Sequence, residues 1–346
     1  MKYTELFKPY KLSPTLELKN KIIMAPLTRC FSDDDLVPTK EMAKYYAKRA
    51  DAGLIVSEAT LISFQAQGYP NMPGIYNQSQ ILGWKEVNNA VHAKGGKIFC
   101  QIWHAGRVSH KVYTGELPVS SSASSISGPV PRTDEHYETP RALELTEIKS
   151  IVQDYVQAAK NSIEAGFDGI EIHGANGYLI DQFIHQETNF RDDIYGGSIQ
   201  NRARFALEIV DEIIEAIGKD KVSIRLSPNA HNFMSHTDGD EETFKYLLSE
   251  LDKRNILYVH LGSFDDNEEI DYLGGRASAF IKKHYAGTVI GSGSYTFDKA
   301  EVSLIKKDYD LAAIGRPFIA NPDLIERLQN ETKLLEYSED MLNTLI

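Results

Sequence analysis

Eight short, nearly continuous apolar runs punctuate the chain, each closing on a glycine or a polar residue. They are IIMAP from Ile22, GLIVSEA from Gly53, KIFCQI from Lys97, GIEIHG from Gly169, KVSIRLSP from Lys221, LYVHLG from Leu257, TVIGSG from Thr288 and LAAIGRP from Leu311. Runs of this length without alternation suit strands buried on both faces, as in a parallel sheet covered by helices. Between them lie segments of helical period. The clearest stripe carries Ile148, Ile151, Val152, Tyr155, Val156, Ala159 and Ile163, with Thr146 as its expected N-cap. Further helices fit Thr39 to Ala52, Ser79 to Lys94, Asn201 to Ile217, Glu241 to Lys253, Arg276 to Tyr285 and Phe297 to Lys307. A last helix is expected to start at Asn321-Pro322, a cap followed by proline in the first helical position.

Strand and helix alternating eight times predict an α/β fold, a closed (β/α)8 TIM barrel. The rival, an open doubly wound sheet, usually carries GxGxxG after its first strand, and none follows Ile22 to Pro26 here. The stretch Ala105 to Glu144 is rich in Ser, Pro and Gly and too long for an ordinary connection. As an insertion after strand three it is expected to lie over the barrel mouth as a lid or wall. The length, 346 residues, fits one barrel with insertions, so 1–346 reads as a single domain.

A formal charge of -12 disfavours nucleic acid and anionic membrane surfaces as partners. Two cysteines, Cys30 and Cys100, make no disulfide framework, and neither reads as catalytic or metal-binding. The N-terminus lacks an apolar signal core, and no apolar run approaches the ~20 residues of a membrane span, so the cytoplasm is the expected location.

Barrel enzymes place their chemistry at the carboxyl ends of the strands. Those ends read Pro26-Leu27-Thr28, Glu58-Ala59, Gln101, His173, Arg225, Gly291-Ser292-Gly293 and Gly315-Arg316. Such a ring suits a large, polar, planar ligand carrying phosphate. The glycine turns fall after strands seven and eight, the usual phosphate position of this fold, where backbone N–H groups approach an anion closely. Arg316 can add a bidentate contact. The plainer reading makes each glycine only a turn, Arg316 the partner of a carboxylate, and Arg225 half of a buried salt bridge.

The segment His173-Gly-Ala-Asn-Gly-Tyr178 is the most informative. His173 and Asn176 can point two donors at one oxygen if the chain turns at once, which Gly174 and Gly177 allow. Tyr178 then reaches an adjacent atom as a proton donor. Alternatively His173 satisfies a backbone carbonyl and Tyr178 packs in the barrel wall. No second His or carboxylate stands at metal-ligand spacing nearby.

These residues and their surroundings resemble the Old Yellow Enzyme family of FMN-dependent ene-reductases. The likeness rests on NKIIMAPLTR (Asn20 to Arg29), YYAKRADAGLIVSEAT (Tyr45 to Thr60), QIWHAGRVSH (Gln101 to His110), the long stretch Gly166 to Asp211, IRLSP, and AAIGRPFIANPDL (Ala312 to Leu324), all in family order. The resemblance implies FMN across the barrel mouth. Pro26 and Leu27 would lie beside it, Thr28 on the flavin O4, Ala59 and Gln101 along the pyrimidine edge, and Arg225 at N1 and O2. Gly291, Gly315 and Arg316 would hold the phosphate, with Ser292 and Gly293 close by. NADPH or NADH would deliver a hydride, then leave, and an electron-poor alkene would take the hydride at its β-carbon. His173 and Asn176 would bind the carbonyl or nitro oxygen, Tyr178 would protonate the α-carbon, and Trp103 would wall the substrate. Thr28 resembles the branch carrying threonine, not cysteine, there.

The sequence also departs from the family pattern. LGSFDDNEEIDYLGGR (Leu261 to Arg276) lacks the common proline-and-arginine ending, Asn229 stands where an aromatic is frequent, and the tail lacks the glycine- and tyrosine-rich close. Length and cysteine count exclude the larger relatives with iron-sulfur clusters. The expected function is NAD(P)H-dependent reduction of activated alkenes; quinones, nitro compounds or nitrate esters are alternative substrates. Two further readings are a flavin-binding module with incidental turnover and a flavin-free sugar-phosphate barrel. The choice between NADPH and NADH, and between monomer and homodimer, stays open; the Leu-rich tail is a candidate surface for a partner.

Overall fold

The structure is a computed structural model and describes residues 2–346. The eight apolar runs form the strands β1 (Ile22–Met24), β2 (Leu54–Val56), β3 (Ile98–Trp103), β4 (Gly169–Gly174), β5 (Val222–Leu226), β6 (Tyr258–Leu261), β7 (Thr288–Gly291) and β8 (Leu311–Ile314). All neighbours pair parallel, and the β8–β1 pairing closes the ring. The fold is the (β/α)8 barrel that the alternation predicts. Helices Lys40–Ala47, Gln78–His92, Leu145–Glu164, Ile199–Ile217, Asp240–Arg254, Ala277–His284 and Phe297–Lys306 follow successive strands. Several begin on a side-chain cap: Thr39 accepts from the Met42 N–H, Asn77 from Gln80, and Ser198 from Asn201.

Because side chains alternate along a strand, the barrel interior takes every second residue. The lower interior is apolar: Ile23, Leu54, Val56, Phe99, Tyr258, Ile290 and Leu311 pack together. An antiparallel pair, Tyr10–Ser13 with Leu16–Leu18, closes this end by adding Leu12, Leu16 and Leu18 to that cluster. The upper interior is polar, with Gln101, Glu171, His173, Arg225 and His260 all buried. Polar groups are thereby concentrated toward the C-terminal ends of four adjacent strands, β3 to β6.

Two helix starts differ from expectation. Thr146 lies inside its helix, because Glu144 is the cap: its carboxylate accepts the Glu147 N–H while Glu147 accepts the Glu144 N–H. Asn321 does not start the last helix, which runs Leu324–Gln329 from Asp323. Its side chain instead ties down the tail, donating to the Leu335 carbonyl and accepting the Leu335 N–H.

The insertion 105–144 contains the short helix Lys111–Thr114 and a two-strand pair, Val119–Ser120 with Arg141–Ala142. It stands beside the loop after β5. Arg107 donates to the Phe233 carbonyl at 2.6 Å, and the Tyr137 and Phe233 rings meet edge to face at 5.7 Å. It is a wall of the mouth. The C-terminal tail lies on its own barrel: Arg29 donates to the carbonyls of Met341 and Thr344 at 2.9 and 2.6 Å, and Arg316 sits over the Tyr337 ring.

Candidate active site

The loops after β7 and β8 enclose one side of a cavity of about 360 Å³ at the mouth, with Ser292, Gly293, Gly315 and Arg316 on that side and Pro26, Leu27 and Arg225 opposite. Ser263, Phe264, Ser294 and Tyr295, none of them singled out from sequence, complete it. Gly293 has φ +145, and a Cβ there would fall 2.4 Å from the Asp266 nitrogen, so only glycine lets these two loops meet. Asp266 fixes the junction, accepting the Ser278 N–H at 2.9 Å and the Tyr295 hydroxyl at 2.5 Å. Among the described residues the N–H groups of Gly293 and Gly315 donate to no protein acceptor. Free backbone donors beside an exposed guanidinium fit a phosphate group. Gly291 does not line this cavity. It sits in β7 against the Tyr309 ring, which a Cβ would strike at 2.4 Å.

Beneath the mouth, one buried carboxylate organises the interior. Glu171 accepts from Gln101 Nε2 at 2.7 Å and from His260 Nδ1 at 2.8 Å. Burial alone would raise its pKa, yet His260, Arg225 and Gln101 together hold it below the ordinary glutamate value. Burial lowers the His260 pKa, so we assign a neutral ring donating through Nδ1 to an ionised carboxylate. Arg225 stands between His173 and His260 in the strand register and reaches the cavity above. It remains a cation, balanced by Glu171 below and open to an anionic edge above. Glu171 and His260 were not singled out from sequence, although each interrupts an apolar run, GIEIHG and LYVHLG, close to the strand ends that carry His173 and Arg225.

His173 leaves β4 beside Tyr178, their rings edge to face with centroids 5.0 Å apart. Tyr178 also meets Trp103 edge to face at 4.8 Å, and Trp103 stacks on Tyr69 at 6.3 Å. Burial, then the Arg225 charge, hold the His173 pKa well below its ordinary value, and its Nδ1 has no protein partner. His173 is a neutral donor–acceptor. Burial, followed by the adjacent Tyr69, pushes the Tyr178 hydroxyl well above 10, so it keeps its proton. Asn176 turns the chain with φ +59. Its N–H donates to Ser227 Oγ at 3.0 Å, its carbonyl accepts from Asn232 at 2.7 Å, and its side chain meets His231 Nε2 at 3.0 Å. Asp181 holds the turn from below by accepting the Gly177 N–H at 2.8 Å.

The structure thus groups the predicted residues in two sets. Pro26, Leu27, Arg225, Ser292, Gly293, Gly315 and Arg316 share the cavity, while Trp103, His173, Asn176 and Tyr178 cluster on the strand-four side. Gln101 joins the sets through Glu171. Ala59 is buried in the segment after β2, just before Thr60 and Leu61 pair with the C-terminal end of β3, and Thr28 is exposed after β1.

The model of the NADH:flavin oxidoreductase / NADH oxidase family matches residues 5–334. The chain is 41% identical to 12-oxophytodienoate reductase 7 of Oryza sativa subsp. japonica, across 97% of this chain and 90% of the relative. It is 43% identical to chanoclavine-I aldehyde reductase of Penicillium roqueforti (strain FM164), across 96% and 91%. Among solved structures, the old yellow enzyme homologue from Zymomonas mobilis superposes with a TM-score of 0.91 at 37% identity, covering 98% of this chain and 96% of that one. Morphinone reductase in complex with tetrahydroNAD gives 0.89 at 43% identity, covering 98% and 94%. The chain belongs to the NADH:flavin oxidoreductase / NADH oxidase family, the Old Yellow Enzymes, and is an FMN-dependent oxidoreductase that draws its electrons from NAD(P)H.

Proposed function

We propose that the protein reduces the activated C=C bond of α,β-unsaturated carbonyl or nitro compounds, with residues 1–346 acting as one FMN-binding domain in the cytoplasm. The observation that carries this reading is the grouping of a neutral histidine, an asparagine turn and a tyrosine that retains its proton within one strand end. Relatives whose names describe reduction of 12-oxophytodienoate, morphinone and chanoclavine-I aldehyde support it.

The chemistry the bound flavin supplies is storage of one hydride between nicotinamide and alkene. The protein's share is charge and geometry. Gly293, Gly315 and Arg316 hold the phosphate end, and Pro26, Leu27, Thr28, Ala59 and Gln101 frame the ring. Arg225, balanced from below by Glu171, neutralises negative charge at the ring edge. His173 and Asn176 donate to the substrate oxygen and stabilise the charge that develops there as the β-carbon is reduced. Tyr178 delivers the proton to the α-carbon, and Trp103 and Tyr69 keep water from that side.

The test is anaerobic. Purified protein should be yellow, bleach with NADPH or NADH, and recover its colour when cyclohexenone or a maleimide is added. Bleaching without alkene-driven recovery refutes the proposal.

A further inference from the structure

The loop after β5 carries a histidine whose hydrogen bonds constrain the Asn176 side chain, and this inference rests on the role proposed for Asn176 above. His231 Nδ1 lies 2.8 Å from the Asn229 carbonyl, which accepts only, so this nitrogen carries a proton. His231 Nε2 lies 3.0 Å from one end of the Asn176 carboxamide. The same end lies 3.3 Å from Ser227 Oγ, whose one proton is engaged at 2.7 Å by the Gly262 carbonyl. Asn176 is pinned through both its N–H and its carbonyl, and Gly177 packs on the Asn232 carbonyl so closely that a Cβ would fall 2.5 Å from it. The freedom left to Asn176 is which end of its amide faces His231.

Proton counting then permits two arrangements. When His231 carries protons on both nitrogens, Nε2 donates to the Asn176 oxygen, and the NH2 group is turned away toward the mouth. When His231 is neutral, Nε2 and Ser227 Oγ are both acceptors, and the NH2 group must face them. The oxygen then points at the mouth. We propose that His231 is a positioning residue that selects which end of the Asn176 amide meets the substrate, its imidazolium form presenting the donor and its neutral form the acceptor.

The surroundings move this switch to the acid side of an ordinary histidine. Burial draws the His231 pKa below its ordinary value, the Asn229 carbonyl and Asp181 oppose that, and Arg225 and His185 add to it. The Phe264 ring covers the imidazole edge to face at 5.0 Å. Burial holds His173 well below its ordinary value and Tyr178 well above its own, so His173 stays neutral and Tyr178 keeps its proton.

The experiment follows the reoxidation of reduced holoenzyme by cyclohexenone, which has no ionisable group, from about pH 5 to pH 8. The wild-type rate constant should rise about tenfold toward the acid limit. His231→Gln, whose amide donates to the Asn176 oxygen at every pH, should flatten the profile. An unchanged profile in H231Q overturns the inference while leaving alkene reduction intact; absence of alkene reduction in the wild type defeats the functional proposal instead. A second readout needs no turnover. The Asn176 side-chain NH2 resonance of the wild-type holoenzyme, assigned by its loss in Asn176→Asp, should titrate together with the His231 ring nitrogens. A His231 titration that leaves this resonance unmoved also overturns the inference.

Discussion

Glu171 and His260 meet at 2.8 Å in the barrel interior with no exposed surface on either side chain. The carboxylate is the counter-charge of Arg225 and the acceptor of Gln101, so it serves three side chains across four strands. Removing one partner of a buried charge network leaves the others uncompensated, at a cost of about 3–5 kcal/mol. Glu171→Gln keeps the shape and loses the charge. We expect its urea midpoint to fall accordingly, with FMN released at lower denaturant than in the wild type. A midpoint equal to that of the wild type shows that Arg225 is balanced from elsewhere.

A second buried network sets the pH range of stability. His185 lies between Asp181 at 3.3 Å and Asp240 at 3.1 Å, with no exposed surface. Burial opposes its charge, but Asp181 and then Asp240 outweigh it and raise the pKa to about 10. The folded value exceeds the unfolded value of about 6.5. The stabilisation is therefore complete below about pH 6.5 and is lost as pH rises through about 10. Asp240, held below its ordinary value against burial by His185 and two backbone N–H groups, contributes in the opposite sense and loses its share only in acid. Between about pH 6 and pH 10, unfolding free energy should drop by on the order of 3 kcal/mol relative to His185→Gln. Parallel pH profiles for the two proteins eliminate this account.

The barrel was legible because the apolar runs that face helices on one side and the interior on the other carry no alternation, and all eight became strands. The hairpin at Tyr10–Ser13 and Leu16–Leu18 was not read, since strands of four and three residues leave too few positions to establish a period. At the mouth, strand ends identified Arg225, Gly293 and Gly315 as neighbours, because parallel register carries equivalent positions to one level. Phe264, Tyr69 and His231 were missed because they arrive on loops, whose path follows from tertiary contacts such as Asn229 to Ser263 and not from any local period. Thr146 and Asn321 show the related failure at helix ends: a reciprocal Glu144–Glu147 capping box starts the first helix two residues earlier, and a longer-range bond to Leu335 draws the Asn321 side chain away from the second.

Gly291 and Gly315 look alike in sequence and should respond differently to substitution. A methyl at Gly291 meets the Tyr309 ring at 2.4 Å, so Gly291→Ala forces the β7 packing apart and should cost about 1–3 kcal/mol of stability even without FMN. A methyl at Gly315 meets Leu27 Cδ2 at 3.2 Å and Ala25 Cβ at 3.9 Å, with no ring or backbone atom in the way, and the backbone, φ -106 and ψ -91, lies outside the left-handed region that favours glycine. It points into the cavity volume. Gly315→Ala should leave the urea midpoint of the apoprotein within about 0.5 kcal/mol of wild type while weakening FMN about tenfold or more, followed by quenching of flavin fluorescence. Equal loss of stability in both variants removes the distinction drawn between them.

Tyr178 tests the division of labour within the catalytic turn. Its ring is wedged edge to face between His173 and Trp103, and phenylalanine preserves both contacts. What Tyr178→Phe removes is the hydroxyl proton, which burial and Tyr69 hold in place at neutral pH. Bleaching by the nicotinamide needs no proton at the alkene α-carbon and should proceed at nearly the wild-type rate. Reoxidation by cyclohexenone should slow by about 10²–10⁴-fold, the usual contribution of a positioned general acid. Nitroalkenes, which stabilise the carbanion as a nitronate, should be affected far less. In anaerobic stopped-flow experiments the two half-reactions are read separately, so a loss shared equally between them identifies Tyr178 as a packing residue and leaves the protonation to another group.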